Sequence, residues 1–220
     1  FRSIVSERTI SQKARDFHNA GREFGKKGDY IKSIKNLELA AKADPNWAYP
    51  VYDLAYTYIL MGDLNKAHEY YIKVDSMAPR GFFTVKTALY TLDGEKKGVF
   101  PEGLYKAYLG IEWMDDAKKV QALQGISTKF PKFAPAWKDL ISFASDDNAA
   151  LEFIENGLAS NPDIETYGML RINKALIFHR NKKTDEAIKI LAELALNPSS
   201  SMGTEKIAKQ TLVHLLGENS

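Results

Sequence analysis

The sequence predicts an all-α protein: a solenoid of about five helix hairpins closed by a C-terminal capping helix. Three observations carry that prediction. Through most of the 220 residues, apolar side chains recur at i, i+3, i+4 and i+7, the spacing of one helix face. Glycines and prolines interrupt these stripes at helix-length intervals, as breakers between helices do. A group of residues also returns after a fixed interval of 34 positions, the self-similarity of stacked repeats.

The first hairpin opens with Phe17, Ala20, Gly21 and Phe24 on one face and breaks at Gly28. A second stripe follows in Ile31, Ile34, Leu37, Leu39 and Ala40. It stops at Asp44-Pro45, because the residue before a proline is pushed out of the helical region. The second hairpin repeats the plan with Val51, Leu54, Ala55 and Tyr58, a turn at Gly62-Asp63, then Ala67, Tyr70, Tyr71 and Val74 before Ala78-Pro79. The register holds across the unit: Gly28-Asp29-Tyr30 returns as Gly62-Asp63-Leu64, Phe24 as Tyr58, and Ala40, Asp44 and Pro45 as Val74, Ala78 and Pro79. Small residues at Gly21, Ala55 and Ala67 let paired helices approach closely.

On these residues, 14–81 resemble two consecutive tetratricopeptide repeats in length, in small and aromatic positions and in the terminal proline. The departures are Phe17 and Val51 where the family favours Trp, and Ser33 where it favours Ala. The resemblance implies a right-handed α-α superhelix whose first helices line a concave groove.

Beyond Pro79 the period fails. Helical patterns over 84–97, 101–113 and 115–129 make an irregular region, 82–131, with one degenerate repeat. Two further degenerate repeats fill 132–200, and 201–220 reads as a capping helix and tail with Ile207, Leu212, Leu215 and Leu216 on one side. Such a cap covers the apolar end of the last repeat. Residues 1–13 are expected to be a linker or a frayed helix. Because the chain opens on Phe1, it is read as trimmed, processed or part of something longer.

Composition narrows the function classes. Lys and Arg number 30 against 28 Asp and Glu, a net charge of +2; this is too balanced for nucleic-acid binding through bulk charge. No apolar run approaches the roughly 18 residues of a membrane span, so no membrane insertion is expected. Cysteine is absent, which removes thiolate nucleophiles and thiolate metal sites. The compartment stays open between cytoplasm and, if a leader preceded Phe1, the periplasm.

Catalytic motifs fail on inspection. His68-Glu69 begins the helical zinc-protease pattern, but Ile72 stands where the second His is required. Gly21, Gly25 and Lys26 have the wrong spacing for a phosphate loop, and Lys27 stands where Ser or Thr is needed. The four histidines are scattered, and Asp115-Asp116 and Asp146-Asp147 sit like helix-start residues. The expectation is a non-catalytic protein with no metal and no cofactor.

The site expectation concerns the groove. With the core stripe of the third helix occupied by Val51, Leu54, Ala55 and Tyr58, the residues Tyr49, Tyr52 and Tyr56 point to another face. Their counterparts are Arg15, His18, Arg22 and Lys26 in the first repeat, and Phe83, Lys86 and Tyr90 after the second. Aromatic rings beside basic groups suit a protein or peptide segment with apolar and acidic side chains. The Lys and Asn clamp by which some members of the family hold a C-terminal carboxylate is missing: His18, Arg22 and Asp53 stand at its positions. The alternatives are a substrate-recruiting segment of a larger protein and a symmetric homodimer through the aromatic face.

Overall fold

The computed structural model describes residues 9–218, so the first eight residues of the expected N-terminal linker lie outside the described part. Among the described residues there are twelve α-helices and no strand. They fall into two compact units that meet in sequence at Ala78 and Pro79.

Unit 1 holds α1 (Gln12–Lys26), α2 (Tyr30–Ala43), α3 (Ala48–Met61) and α4 (Leu64–Met77). Each helix packs on the next, α1 on α2, α2 on α3 and α3 on α4. Ser11 caps α1 by accepting from the Ala14 N–H at 3.2 Å, so residues 12 and 13, expected in a linker or frayed helix, belong to α1. The two hairpin turns share one chemistry. Gly28 and Gly62 take φ of 76° and 83°, the left-handed region that only glycine enters without cost. Asp29 and Asp63 then cap the following helices by accepting from the Lys32 and Lys66 N–H groups at 3.2 and 3.0 Å.

Close approach of α1 and α2 explains Gly21, where a Cβ would stand 2.8 Å from Leu37 Cγ. Between α3 and α4, Ala55, Ala67, Tyr71 and Val74 are fully enclosed. Tyr58 stacks on Tyr70 with centroids 5.4 Å apart. The buried line of α2 differs from the expected stripe. Ser33, Leu37 and Ala40 face inward, whereas Ile31 is 78% exposed and Leu39 lies at the surface. Small residues flanking one leucine allow the tight contact, and that contact decides which face turns in.

Unit 2 holds α5 (Val85–Lys96), α6 (Leu104–Gly110, continued by a 3-10 turn over Ile111–Trp113), α7 (Asp116–Lys129), α8 (Ala134–Leu140, continued by a 3-10 turn over Ile141–Phe143), α9 (Asp147–Ala159), α10 (Ile164–Arg180), α11 (Thr184–Leu196) and α12 (Met202–Glu218). Its core has three apolar clusters. The first gathers Phe100, Leu104, Ile111, Leu123, Phe133 and Leu140; the second joins α9 to α10 through Ala150, Ile154, Leu170 and Ile177; the third packs α10 and α11 on α12 through Ile172, Leu191, Leu194, Ala208 and Leu215. Asp115 and Asp146 cap α7 and α9 through the Lys118 and Ala149 N–H groups at 3.0 and 2.9 Å.

Two features depart from a plain array. Helix α5 packs on α10 as well as on α6, whereas in a regular solenoid each repeat meets only its neighbours. The closing helix buries Ala208 and Leu215 but leaves Ile207 and Leu216 exposed, so the side expected to face inward is turned by part of a helical step.

Candidate partner-binding face

In unit 1, α1 and α3 lie side by side, and one carboxylate joins them. Asp53 of α3 meets His18 Nε2 at 2.8 Å and Arg22 Nε at 3.7 Å. The imidazole is enclosed, 5% exposed, with Trp47 edge-on at 4.7 Å between centroids and Tyr49 at 6.3 Å. His18 continues the buried line Ala14–His18–Gly21 at i, i+4, i+7. Expected on the groove face, it is instead enclosed and holds Asp53. A polar ring reads as an outward residue until its partner is known, and a buried polar group needs one.

The remaining expected residues of this unit differ in exposure. Arg15 is exposed, its Nε donating to Ile10 O at 3.3 Å. Arg22 is well exposed despite its approach to Asp53. Tyr49 is 40% exposed, and Tyr52 and Tyr56 are half-buried. The Tyr52 ring lies edge-on against fully buried Tyr71 at 5.8 Å, so it serves the core as well as the face. Farther along α1, Lys26 pairs with Glu23 at 2.7 Å; the adjacent ammonium holds the Glu23 carboxyl below its usual range. The expected residues are thus cationic on α1 and aromatic on α3, and the carboxylate that joins the two helices, Asp53, is already engaged.

Phe83, Lys86 and Tyr90 belong to unit 2. Phe83 is exposed at a positive φ of 51°. Lys86 is half-buried in the first turn of α5, its N–H donating to Glu165 Oε2 at 3.1 Å. Tyr90 is turned into the unit: its hydroxyl donates to Lys132 O at 2.8 Å and its ring leans on Phe100 at 5.6 Å. Burial raises its phenol above the ordinary value.

Sequence reasoning missed two sets of residues. Trp47 walls in His18, and its only sequence cue is an aromatic two positions after Asp44-Pro45. The other set is Asp163, Glu165, Thr87 and Thr166 in unit 2, in which Thr87 lies nearly eighty residues from the other three and no motif joins them. A cleft of about 510 Å³ near the start of α9 includes Asp146, Asp147, Phe178, Asn181 and Lys183. Its carboxylates are committed: Asp146 to its helix cap, Asp147 to Arg180 and to Asn181 Nδ2 at 2.9 Å. Among the described residues, no group of three His, Cys, Asp or Glu side chains gathers to hold a metal ion. No described helix is long and apolar enough to cross a membrane.

Residues 17–46 and 50–80 each match the family model described as tetratricopeptide repeat. No curated protein matches the chain. Solved structures similar to it include the following three. A MamA chain from Desulfovibrio magneticus RS-1 shows 14% identity over 84% of this chain and 94% of its own, with a TM-score of 0.41. A second structure of MamA protein shows 19% identity over 90% and 95%, with a TM-score of 0.40. The thermophilic TPR protein TTC0263 from Thermus thermophilus shows 16% identity over 92% and 98%, with a TM-score of 0.37.

Proposed function

We propose, starting from a chain that residues 17–46 and 50–80 identify as a tetratricopeptide-repeat protein, that it is a non-catalytic scaffold whose α1–α3 face binds a segment of a partner protein. Arrays of such helix pairs are protein-interaction scaffolds. One observation carries the finer reading: Arg15, Arg22 and Tyr49 are solvent-exposed on the two first helices, while the carboxylate that joins those helices is tied to buried His18. That combination favours a segment with acidic and apolar side chains, the acids meeting the guanidinium groups and the apolar groups meeting the tyrosine rings. The His18–Asp53 pair has the composition of a proton-transfer dyad. With His18 sealed under Trp47, its part in this reading is to hold the face in shape, and no catalytic step is assigned to it.

Phe83, Lys86 and Tyr90 are proposed as further contacts on unit 2. The test is a pull-down from the source cell's lysate with the wild type, with Arg22→Glu/Tyr49→Ala, and with Phe83→Ala. Each is first matched for helicity by circular dichroism and for oligomer mass by light scattering. Partner capture lost in the double variant alone supports the α1–α3 face. Equal capture by all three overturns it, and a wild-type dimer that dissociates in the double variant identifies the partner as a second copy.

A further inference from the structure

The opening segment of unit 2, which carries Phe83 and Lys86, is tied to later elements of its own unit by polar contacts. Arg80 donates through Nε and Nη2 to Ser200 O at 3.2 and 3.0 Å and pairs with Glu205, while its carbonyl accepts from Met202 N at 2.7 Å. Gly81 then passes over Glu165 with φ of +95°, where a Cβ would lie 2.7 Å from Oε1. At the start of α5, Thr84 gives no side-chain cap. Glu165 Oε2 takes that role, accepting from the Lys86 and Thr87 N–H groups at 3.1 and 3.2 Å across 79 and 78 positions.

A second carboxylate shares this corner. Asp163 caps α10 by accepting from the Glu165 and Thr166 N–H groups, and it also accepts from Thr87 Oγ1 at 3.2 Å. The charged groups facing Glu165 are therefore Asp163 from the start of α10 and Lys86 from α5. Thr87 and Thr166 are polar and uncharged, Arg80 and Glu205 of α12 answer one another, and Tyr90 on α5 senses Asp163. Burial first, and the Asp163 charge second, raise the Glu165 carboxyl to about 8; the two N–H donors and Lys86 act the other way and do not prevail.

We propose that this corner is a proton-gated clasp: with Glu165 protonated it holds residues 81–87 against α10, and loss of that proton releases them. A protonated Glu165 keeps Oε2 as acceptor for both N–H groups and removes the repulsion from Asp163. The sign follows from linkage. The closed clasp holds the Glu165 proton up to about pH 8, whereas a released carboxyl loses it near the ordinary 4.5. The closed state thus binds the extra proton between those values. Its advantage is complete at the acid end, falls by up to about tenfold in the closed-to-open ratio for each pH unit, and levels off at the alkaline end. The clasp stands independently of the α1–α3 face.

Hydrogen exchange on the full chain tests it. After correction for the intrinsic pH dependence of exchange, protection of peptides covering residues 80–90 is expected to fall about tenfold or more between about pH 5.5 and about pH 7.5. Peptides of α3 serve as the internal control and are expected to hold their protection. Glu165→Gln, which offers an acceptor to both N–H groups and cannot ionise, should remove the pH dependence. Asp163→Asn should flatten it through a different residue. A wild type whose 80–90 protection does not change over this range overturns the clasp, as does a wild-type-like loss in either folded variant.

Discussion

Gly21 and Gly28 stand seven residues apart and are glycines for different physical reasons. A Cβ at Gly21 would collide with Leu37 at 2.8 Å, whereas one at Gly28 would meet nothing within 4 Å but would force a side chain to φ of +76°. Gly21→Ala should therefore cost about 1–3 kcal/mol through overpacking, and Gly28→Ala about 1 kcal/mol through backbone strain alone. Urea melts combined with Leu37→Val separate the two causes. The smaller neighbour should recover part of the Gly21→Ala loss and none of the Gly28→Ala loss; equal coupling would contradict the assignment. A third residue-scale expectation concerns Asp53. Asp53→Ala strands the enclosed His18 nitrogen and should cost about 1–3 kcal/mol, while Asp53→Asn keeps an acceptor at the same place and should cost clearly less. Losses near zero for both variants in the same melts would show that the 2.8 Å contact carries no net stability.

At the scale of elements, the same helices show what a sequence can disclose. Gly28-Asp29 and Gly62-Asp63 were legible as breaks because glycine and an acceptor side chain act within three residues of their own position. The hairpins of unit 1 follow from those breaks. The inward face of α2 was less legible: Ile31 and Leu39 are apolar and Ser33 is not, yet Ser33 is buried and Ile31 is open. Periodicity defines which residues share a stripe, but the neighbour's shape selects the stripe that packs. Ile31→Lys should consequently change stability by no more than about 0.5 kcal/mol, and Leu37→Ala should lose about 2–5 kcal/mol; the reverse order in a denaturant series would restore the stripe read from the sequence. The site divides the same way. Arg15, Arg22 and Tyr49, expected on an outward face from helical spacing, are exposed in unit 1. His18 was misplaced because its partner lies 35 positions away. The cap of α5 was invisible for the same reason at greater distance, since Glu165 looks like any acidic residue in the first turn of its own helix.

For the molecule as a whole, the distinction between local and distant contacts becomes one of folding order. In unit 1 the principal contacts join each helix to the next, so its structure closes through short loops. Unit 2 joins α5 to α10, with Thr87 and Glu165 separated by 78 positions. Bringing such distant residues together costs more chain entropy before any contact rewards it. Unit 1 is therefore expected to gain its protection first on refolding from urea. In a pulsed hydrogen-exchange experiment, peptides of α1–α4 should become protected in a faster phase than the peptide carrying Lys86 and Thr87. Refolding at about pH 5.5 rather than about pH 7.5 should increase the final protection of that later peptide, because protonated Glu165 favours the closed corner. Simultaneous protection of both regions would mean that the α5–α10 contact forms without waiting for the rest of unit 2, and that the two units do not fold in the order their contacts imply.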